Sequence, residues 1–260
     1  MIHLNSLTLR RGERDILRGV DLHVNAGEHW TLLGRNGCGK TTILEMITGY
    51  MFPTSGTVDV LGNRYGTVDV REVRKKIGYI GPTLIEKLTL RDPVWEIVVG
   101  GAFAYLRIYE KVEDELIEKA YEELDRVGLR SLAEQPFGTL SQGERKKVLL
   151  ARTMMANPEL LILDEPCAGL DLYEREKFLQ ALDSLADRKL SILYVTHHIE
   201  EIAPLFTHVA LMTDGRITAS GRKGEVLTPQ LLESAYDLPI EVDWVDDRPW
   251  IRVGKGGASR

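Results

Sequence analysis

The nine residues G-R-N-G-C-G-K-T-T, Gly34 to Thr42, decide how the rest of the chain is organised. They satisfy the pattern G-x-x-x-x-G-K-[ST] through Gly34, Gly39, Lys40 and Thr41. The apolar run HWTLLG precedes them, and a helical pattern follows from Thr41 to about Thr48. Glycines at these positions let backbone N–H groups converge on phosphate oxygens, and a helix N-terminus adds the positive end of its dipole. Lys40 supplies a full charge, and the Thr41 hydroxyl is placed to ligate Mg²⁺. Arg35, Asn36, Gly37, Cys38 and Thr42 complete the loop. Cys38 leaves two readings open: an inert small residue chosen for fit, or a thiol activated by the helix end and Lys40.

A phosphate loop needs a carboxylate at the end of a buried strand. L-L-I-L-D-E-P provides it, with Asp164 to hold Mg²⁺ and Glu165 to polarise an attacking water. Around these two landmarks, β-rich segments (IHLNSLTL, VDLHV, GTVDVLG, KIGYIG, SILYV, HVALM) alternate with helical stretches, which implies a mainly parallel sheet. From Leu84 to about Asn157 helix dominates, and Val112, Leu116, Ala120, Leu124 and Val127 share one face ahead of a capping Gly128. The expected fold is an α/β P-loop NTPase core with a mainly parallel sheet, an N-terminal antiparallel β subdomain and an inserted α-helical subdomain. The main domain is expected over residues 1–238, the helical insert over about 84–157. A short C-terminal β extension follows over 239–260, with strands IEVDWV and WIRV joined by DDRP and a frayed GKGGASR end.

A net charge of -6 argues against a general nucleic-acid or anionic-membrane binder. Cys38 and Cys167 are too few for a disulfide framework, and M-I-H-L-N-S-L-T-L-R-R lacks the apolar centre of a signal peptide. The longest apolar run, Ile97 to Leu106, is about half the ~20 residues a membrane helix needs. A cytoplasmic chain that does not itself span a membrane is expected.

One further stretch, L-S-Q-G-E-R-K-K-V-L-L-A-R-T-M from Leu140 to Met154, resembles the signature segment of ABC-type ATPases, usually written LSGGQ. The other motifs follow in order: Ala168-Gly169-Leu170-Asp171 resembles the D-loop, and YVTHHIEE resembles the switch region with His197 at the switch-histidine position. The resemblance covers roughly residues 2–235. It implies that Ser141 and the amides of Gln142 and Gly143 contact the phosphates of a nucleotide held by a second cassette. Two ATPs would then be sandwiched in a head-to-tail dimer, either a homodimer or a paired cassette. It further implies that His197 contacts the γ-phosphate.

The chain departs from the family at three places. Arg11 falls where an adenine-stacking aromatic is usual, and a guanidinium plane can stack on a base. Gln142 and Glu144 replace the commoner Gly and Gln. In IGYIGPTL, Gly81, Pro82 and Thr83 stand where the family has a glutamine that begins the hinge to the helical subdomain. These features together resemble a bacterial subgroup near ModF-type cassettes and iron-chelate importer ATPases. The resemblance implies an Mg²⁺-dependent ATPase subunit driving a multi-spanning permease from the inner face of the cell membrane. A soluble regulatory ATPase with the same dimer switch is the alternative, and no nucleic acid is expected as partner. If a permease docks, the segment PVWEIVVGGAFAYLRIY should meet it through Trp95, Tyr105 or Arg107 together with the Gly81–Thr83 hinge.

Overall fold

The computed structural model describes residues 1–82, 84–109, 111–185 and 189–254; Thr83 and the tail from Lys255 lie outside them. The chain forms two compact units, Met1–Arg74 with the segment from Ser191 on, and Lys75–Leu190.

In chain order, the first unit opens with β1 (Ile2–Arg11), β2 (Arg14–Val24), β3 (His29–Gly34), α1 (Lys40–Ile47), β4 (Ser55–Val60), β5 (Asn63–Arg64) and α2 (Val70–Arg74). The second unit then contributes β6 (Ile77–Ile80), α3 (Val94–Val99), α4 (Asp114–Arg126), α5 (Gln142–Met154), β7 (Leu160–Asp164) and α6 (Leu172–Asp183). The chain returns to the first unit with β8 (Ser191–Thr196), β9 (His208–Thr213), β10 (Arg216–Arg222), α7 (Lys223–Val226), α8 (Pro229–Tyr236), β11 (Ile240–Val245) and β12 (Arg248–Val253).

Within the first unit, β2, β1, β4 and β5 make an antiparallel sheet in that order. β3 lies between β8 and β9, parallel to both, and β10 closes the edge antiparallel to β9. Every residue of β3 and of β8 is buried, which explains their continuous apolar runs: a strand covered on both faces has no polar alternation. Register decides what this sheet presents. Leu33 sits opposite both Thr196 and Leu211, so the phosphate loop and His197 leave the same carboxyl edge. Parallel α/β sheets bind ligands along that edge.

In the second unit, β6 and β7 pair in parallel, with Ile80 opposite Leu163, so Gly81 and Asp164 also share a carboxyl edge. α4 buries Ala120 and Leu124, and Gly128 follows at φ 71° as expected. Val112 precedes α4 rather than lying on it. The parallel sheet, the antiparallel β subdomain and the helices thus agree with the expected fold class. The C-terminal hairpin differs in one detail. Only Asp246 and Asp247 form the turn, both at positive φ (49° and 60°), and Arg248 and Pro249 already belong to β12. A two-residue loop of this kind matches the twist of its strands, whereas DDRP as a whole would not.

Candidate functional site

The phosphate loop is shaped by its glycines and by one lysine. Gly39 stands at the N-cap of α1 with φ 114°, where an added Cβ would also come within 2.7 Å of Met212 Cε. No side chain caps α1, and its first turn carries no acid, so its leading N–H groups keep their positive character. Lys40 is only 6% exposed. Its ammonium folds back onto the loop and donates to the carbonyls of Gly34 at 2.7 Å and Arg35 at 3.3 Å. Arg35, Asn36, Gly37 and Thr41 are exposed, and Thr42 is half-buried. Cys38 is buried, and burial pushes its thiol up in pKa despite the opposing charge of Lys40. Desolvation of a would-be thiolate outweighs the cation, which counts against the activated-thiol reading. Arg11 ends β1 exposed, and its guanidinium donates to Met51 Sδ at 3.7 Å.

At the same sheet edge, β8 delivers His197. The ring of His198 lies 4.0 Å from it, centroid to centroid. The following turn, Ile199–Glu201, is fixed by a group that motif reading passed over: the carboxylate of Glu201, only 3% exposed. It accepts hydrogen bonds from Tyr194 at 2.9 Å and from the Thr196 hydroxyl at 2.7 Å, while His198 N–H donates to Thr196 Oγ1 at 3.0 Å. A buried carboxylate is tolerable when several donors face it.

The second unit holds the acids and the signature. β7 is wholly buried and ends on Asp164, whose carboxylate accepts from the Tyr79 hydroxyl at 3.1 Å. Glu165 follows at φ 49°, a left-handed conformation that a glutamate adopts only under constraint. A cavity of about 270 Å³ places Asp164 and Glu165 beside Pro82, Gln142 and Arg145. Of the hinge, Gly81 and Pro82 also line it, while Thr83 is outside the described residues.

Ser141 caps α5. Its Oγ accepts from Glu144 N–H at 3.2 Å, and the Glu144 carboxylate accepts from Ser141 N–H at 2.8 Å, a reciprocal capping box. The same box would form with glutamine, so the Glu144 departure keeps the local geometry. The Ser141 hydroxyl also donates to Glu174 Oε1 at 3.1 Å, and an added Cβ on Gly143 would lie 2.6 Å from Glu174 Cδ. Glu174 is held in turn by Asp171, the N-cap of α6, which accepts its N–H at 2.9 Å. Lys146 donates to the carbonyl of Ala168 at 2.5 Å, tying α5 to the D-loop residues.

After α3 the chain exposes Phe103, Tyr105, Leu106 and Tyr109, which with Arg107 line a cavity of about 870 Å³. Trp95 is half-buried, and Arg107 pairs with Asp92 at 3.3 Å. The buried Arg152 of α5 holds this loop, donating to the carbonyls of Ile97 at 2.6 Å and Tyr105 at 2.7 Å. Burial lowers its guanidinium pKa to about 10. Among the described residues no helix is long and apolar enough to cross a membrane, and no cluster of three or more His, Cys, Asp or Glu gathers as a metal site.

Known proteins resemble this chain over most of its length. The family model described as ABC transporter matches residues 17–168. The ABC transporter ATP-binding protein YlmA of Bacillus subtilis (strain 168) is 42% identical over 254 residues, covering 96% of each chain. ModF of Escherichia coli (strain K12) is 33% identical over 211 residues, covering 80% of this chain and 43% of ModF. Among solved structures, cbiO1 from Clostridium perfringens, part of the ABC transporter complex cbiONQ, superposes with a TM-score of 0.78 at 26% identity, covering 90% of this chain and 92% of cbiO1. A dimeric ATP-binding cassette in a post-hydrolysis state, bound to ADP and Pi, superposes with a TM-score of 0.71 at 26% identity, covering 85% of this chain and 98% of that one.

Proposed function

This chain belongs to the ABC transporter family as an ATP-binding, ATP-hydrolysing subunit, and from that premise we propose the roles of its residues and of its partners. Residues 1–238 act as the cassette, with 84–157 as its helical insert. Lys40 and the amides of Gly34, Arg35, Asn36, Gly37, Cys38 and Gly39 hold the phosphates, with Thr42 beside them, and Arg11 stacks on the base. Ser141 and Gly143 contact the nucleotide of a second cassette in a head-to-tail dimer. Glu165 takes the proton of the attacking water as the water oxygen bonds to the γ-phosphorus, the bond to the β–γ bridging oxygen breaks, and ADP departs. His197 contacts the γ-phosphate.

Mg²⁺ suits the donors on offer. Thr41 brings a hydroxyl and Asp164 a carboxylate, both hard oxygens, and a nucleotide-bound Mg²⁺ needs only one or two protein ligands. When bound, the ion neutralises phosphate charge. The observation that carries the whole reading is Lys40, buried and aimed into its own loop at the uncapped start of α1.

The test is Glu165→Gln. General-base loss costs on the order of 10²–10⁴-fold in rate while ground-state binding persists. The variant should bind ATP, turn over very slowly and accumulate as an ATP-bound dimer in size-exclusion chromatography. Turnover near that of the natural chain would remove Glu165 from the base role.

Transport is the work we assign to hydrolysis, with the chain peripheral on the inner face of the membrane beneath a multi-spanning permease. Exposed Phe103, Tyr105 and Tyr109 around a cavity support a docking face there, because aromatics and Arg dominate binding hot spots. Affinity purification from detergent-solubilised membranes should recover a multi-spanning protein, and Arg107→Glu should weaken its recovery. If the protein is recovered without any membrane protein and hydrolysis ignores these changes, the soluble regulatory reading takes over.

A further inference from the structure

A two-stranded antiparallel hairpin is at best marginally stable alone, so what holds β11 and β12 in place defines their purpose. Two buried or half-buried cations pin the turn end of this hairpin. Lys223, at the start of α7, donates to the Asp247 carbonyl at 2.7 Å and pairs with its carboxylate at 2.7 Å, while also reaching the Pro204 carbonyl at 3.4 Å. Arg248 donates from Nε to the Glu200 carbonyl at 2.8 Å, and its Nη2 donates to the same oxygen. Its guanidinium is backed by the Trp250 ring at 5.0 Å. Both anchors therefore land on the segment that follows His197, residues 199–204.

From Glu200 the contacts continue toward the histidine. The Glu200 carboxylate lies 3.7 Å from His198 Nδ1, and the His198 ring lies against that of His197. The turn is thus gripped from two sides. Glu201 fastens it to β8 through Tyr194 and Thr196, and Arg248 fastens it to the C-terminal hairpin. His197 stands between β8 and this turn, so the turn fixes the backbone on its C-terminal side and the ring of His198 that packs on it.

We propose that Arg248 and Glu200 are positioning residues for His197, so that the C-terminal hairpin braces the switch histidine for hydrolysis. This rests on the reading of His197 as the γ-phosphate contact. Displacing a catalytic contact by about 1 Å can cost on the order of 10²-fold, and partial loosening of a brace less. Arg248→Gln and Glu200→Gln should therefore each lower kcat about 10-fold, with ATP affinity measured by calorimetry unchanged and thermal midpoints near that of the natural chain. Arg248→Lys, which keeps a cation but not the two-pronged grip, should recover part of the rate. In a His197→Ala background, which itself is expected to lose most turnover, Arg248→Gln should cost nothing more, since the brace has lost its object.

The outcomes separate the two ideas. If His197→Ala is nearly inactive while Arg248→Gln and Glu200→Gln keep full kcat, the brace is overturned and the role of His197 stands. If His197→Ala turns over normally, the reading of His197 falls and the brace with it. If Arg248→Gln lowers kcat equally in both backgrounds, it acts on general stability, and the proposal is overturned. Should Arg248→Gln fail to fold, Glu200→Gln, which keeps the backbone carbonyl that Arg248 grips, decides by the same criteria.

Discussion

Two helices in this chain begin where phosphate is expected, and their first turns are built in opposite ways. α1 starts at Gly39 with no side-chain cap and no acid, and a lysine ammonium occupies the loop above it. α5 starts at Ser141 with a complete capping box, and Glu174 accepts from the serine hydroxyl. The first is preorganised for an anion, with no side-chain cap and no acid at its leading N–H groups. In the second, the Ser141 and Glu144 amides are engaged by the capping box and the Ser141 hydroxyl by Glu174 of α6, so a phosphate arriving at Ser141 would have to displace these carboxylates. On the proposed roles, α1 would bind nucleotide alone, whereas α5 would gain from phosphate only when binding energy is available from elsewhere, such as a second cassette.

Gly39→Ala attacks the uncapped end and should have the largest effect. The left-handed conformation costs a non-glycine residue roughly 1–2 kcal/mol, and the Cβ crowds Met212, so ATP affinity should fall about tenfold or more. Calorimetric titration checks this, and undiminished affinity would break the contrast by showing that the loop's amides tolerate rearrangement. Ser141→Ala attacks the capped end. It should cost about 1 kcal/mol in denaturant stability while leaving ATP binding by the monomer intact. If it instead weakened monomer binding as much as Gly39→Ala, the two helix ends would be doing the same job.

The smallest effect sharpens the contrast by pH. His29, at the start of β3, is buried, its Nδ1 has no hydrogen-bond partner among the described residues, and burial holds its pKa below the ordinary histidine value. The unfolded chain therefore binds a proton more readily than the folded one. This contribution to stability is intact above about pH 6.5 and is lost as pH falls through the window below it. Denaturant melts at pH 5.5 and 7.5 should differ by less in His29→Gln than in the natural chain. Hydrogen exchange should locate the acid sensitivity in β3 and its neighbours rather than in α5.

What the sequence made legible was local. Gly34 to Thr41, Leu160 to Glu165 and Leu140 to Gly143 are contiguous, and each motif contains the strand or helix end that gives it meaning, so fold class and family membership followed, ModF likeness included. Glu174 on Ser141, Tyr79 on Asp164, Arg152 on Tyr105 and Arg248 on Glu200 join residues separated by 33, 85, 47 and 48 positions. No spacing rule links such pairs, because tertiary packing alone brings them together. Cys38 shows the same limit in another form. Its neighbours in sequence argue for a reactive thiol, but burial, a property of the fold, pushes its pKa the other way. Glu201 stands beside a second acid, Glu200, in the run from Ile199 to Pro204, so nothing in the sequence singles it out, and only the donors from β8 explain it.

The backbone of Glu165 also bears on what selection has had to tolerate. At φ 49° this position suits glycine or asparagine better than glutamate, so the residue assigned to the chemistry is also a local conformational burden. Glu165→Gly should leave a chain that is inert toward ATP hydrolysis yet about 1 kcal/mol more resistant to unfolding. Drift under stability alone would therefore erase this glutamate. On the proposed role, position 165 is one where the chain trades durability for turnover.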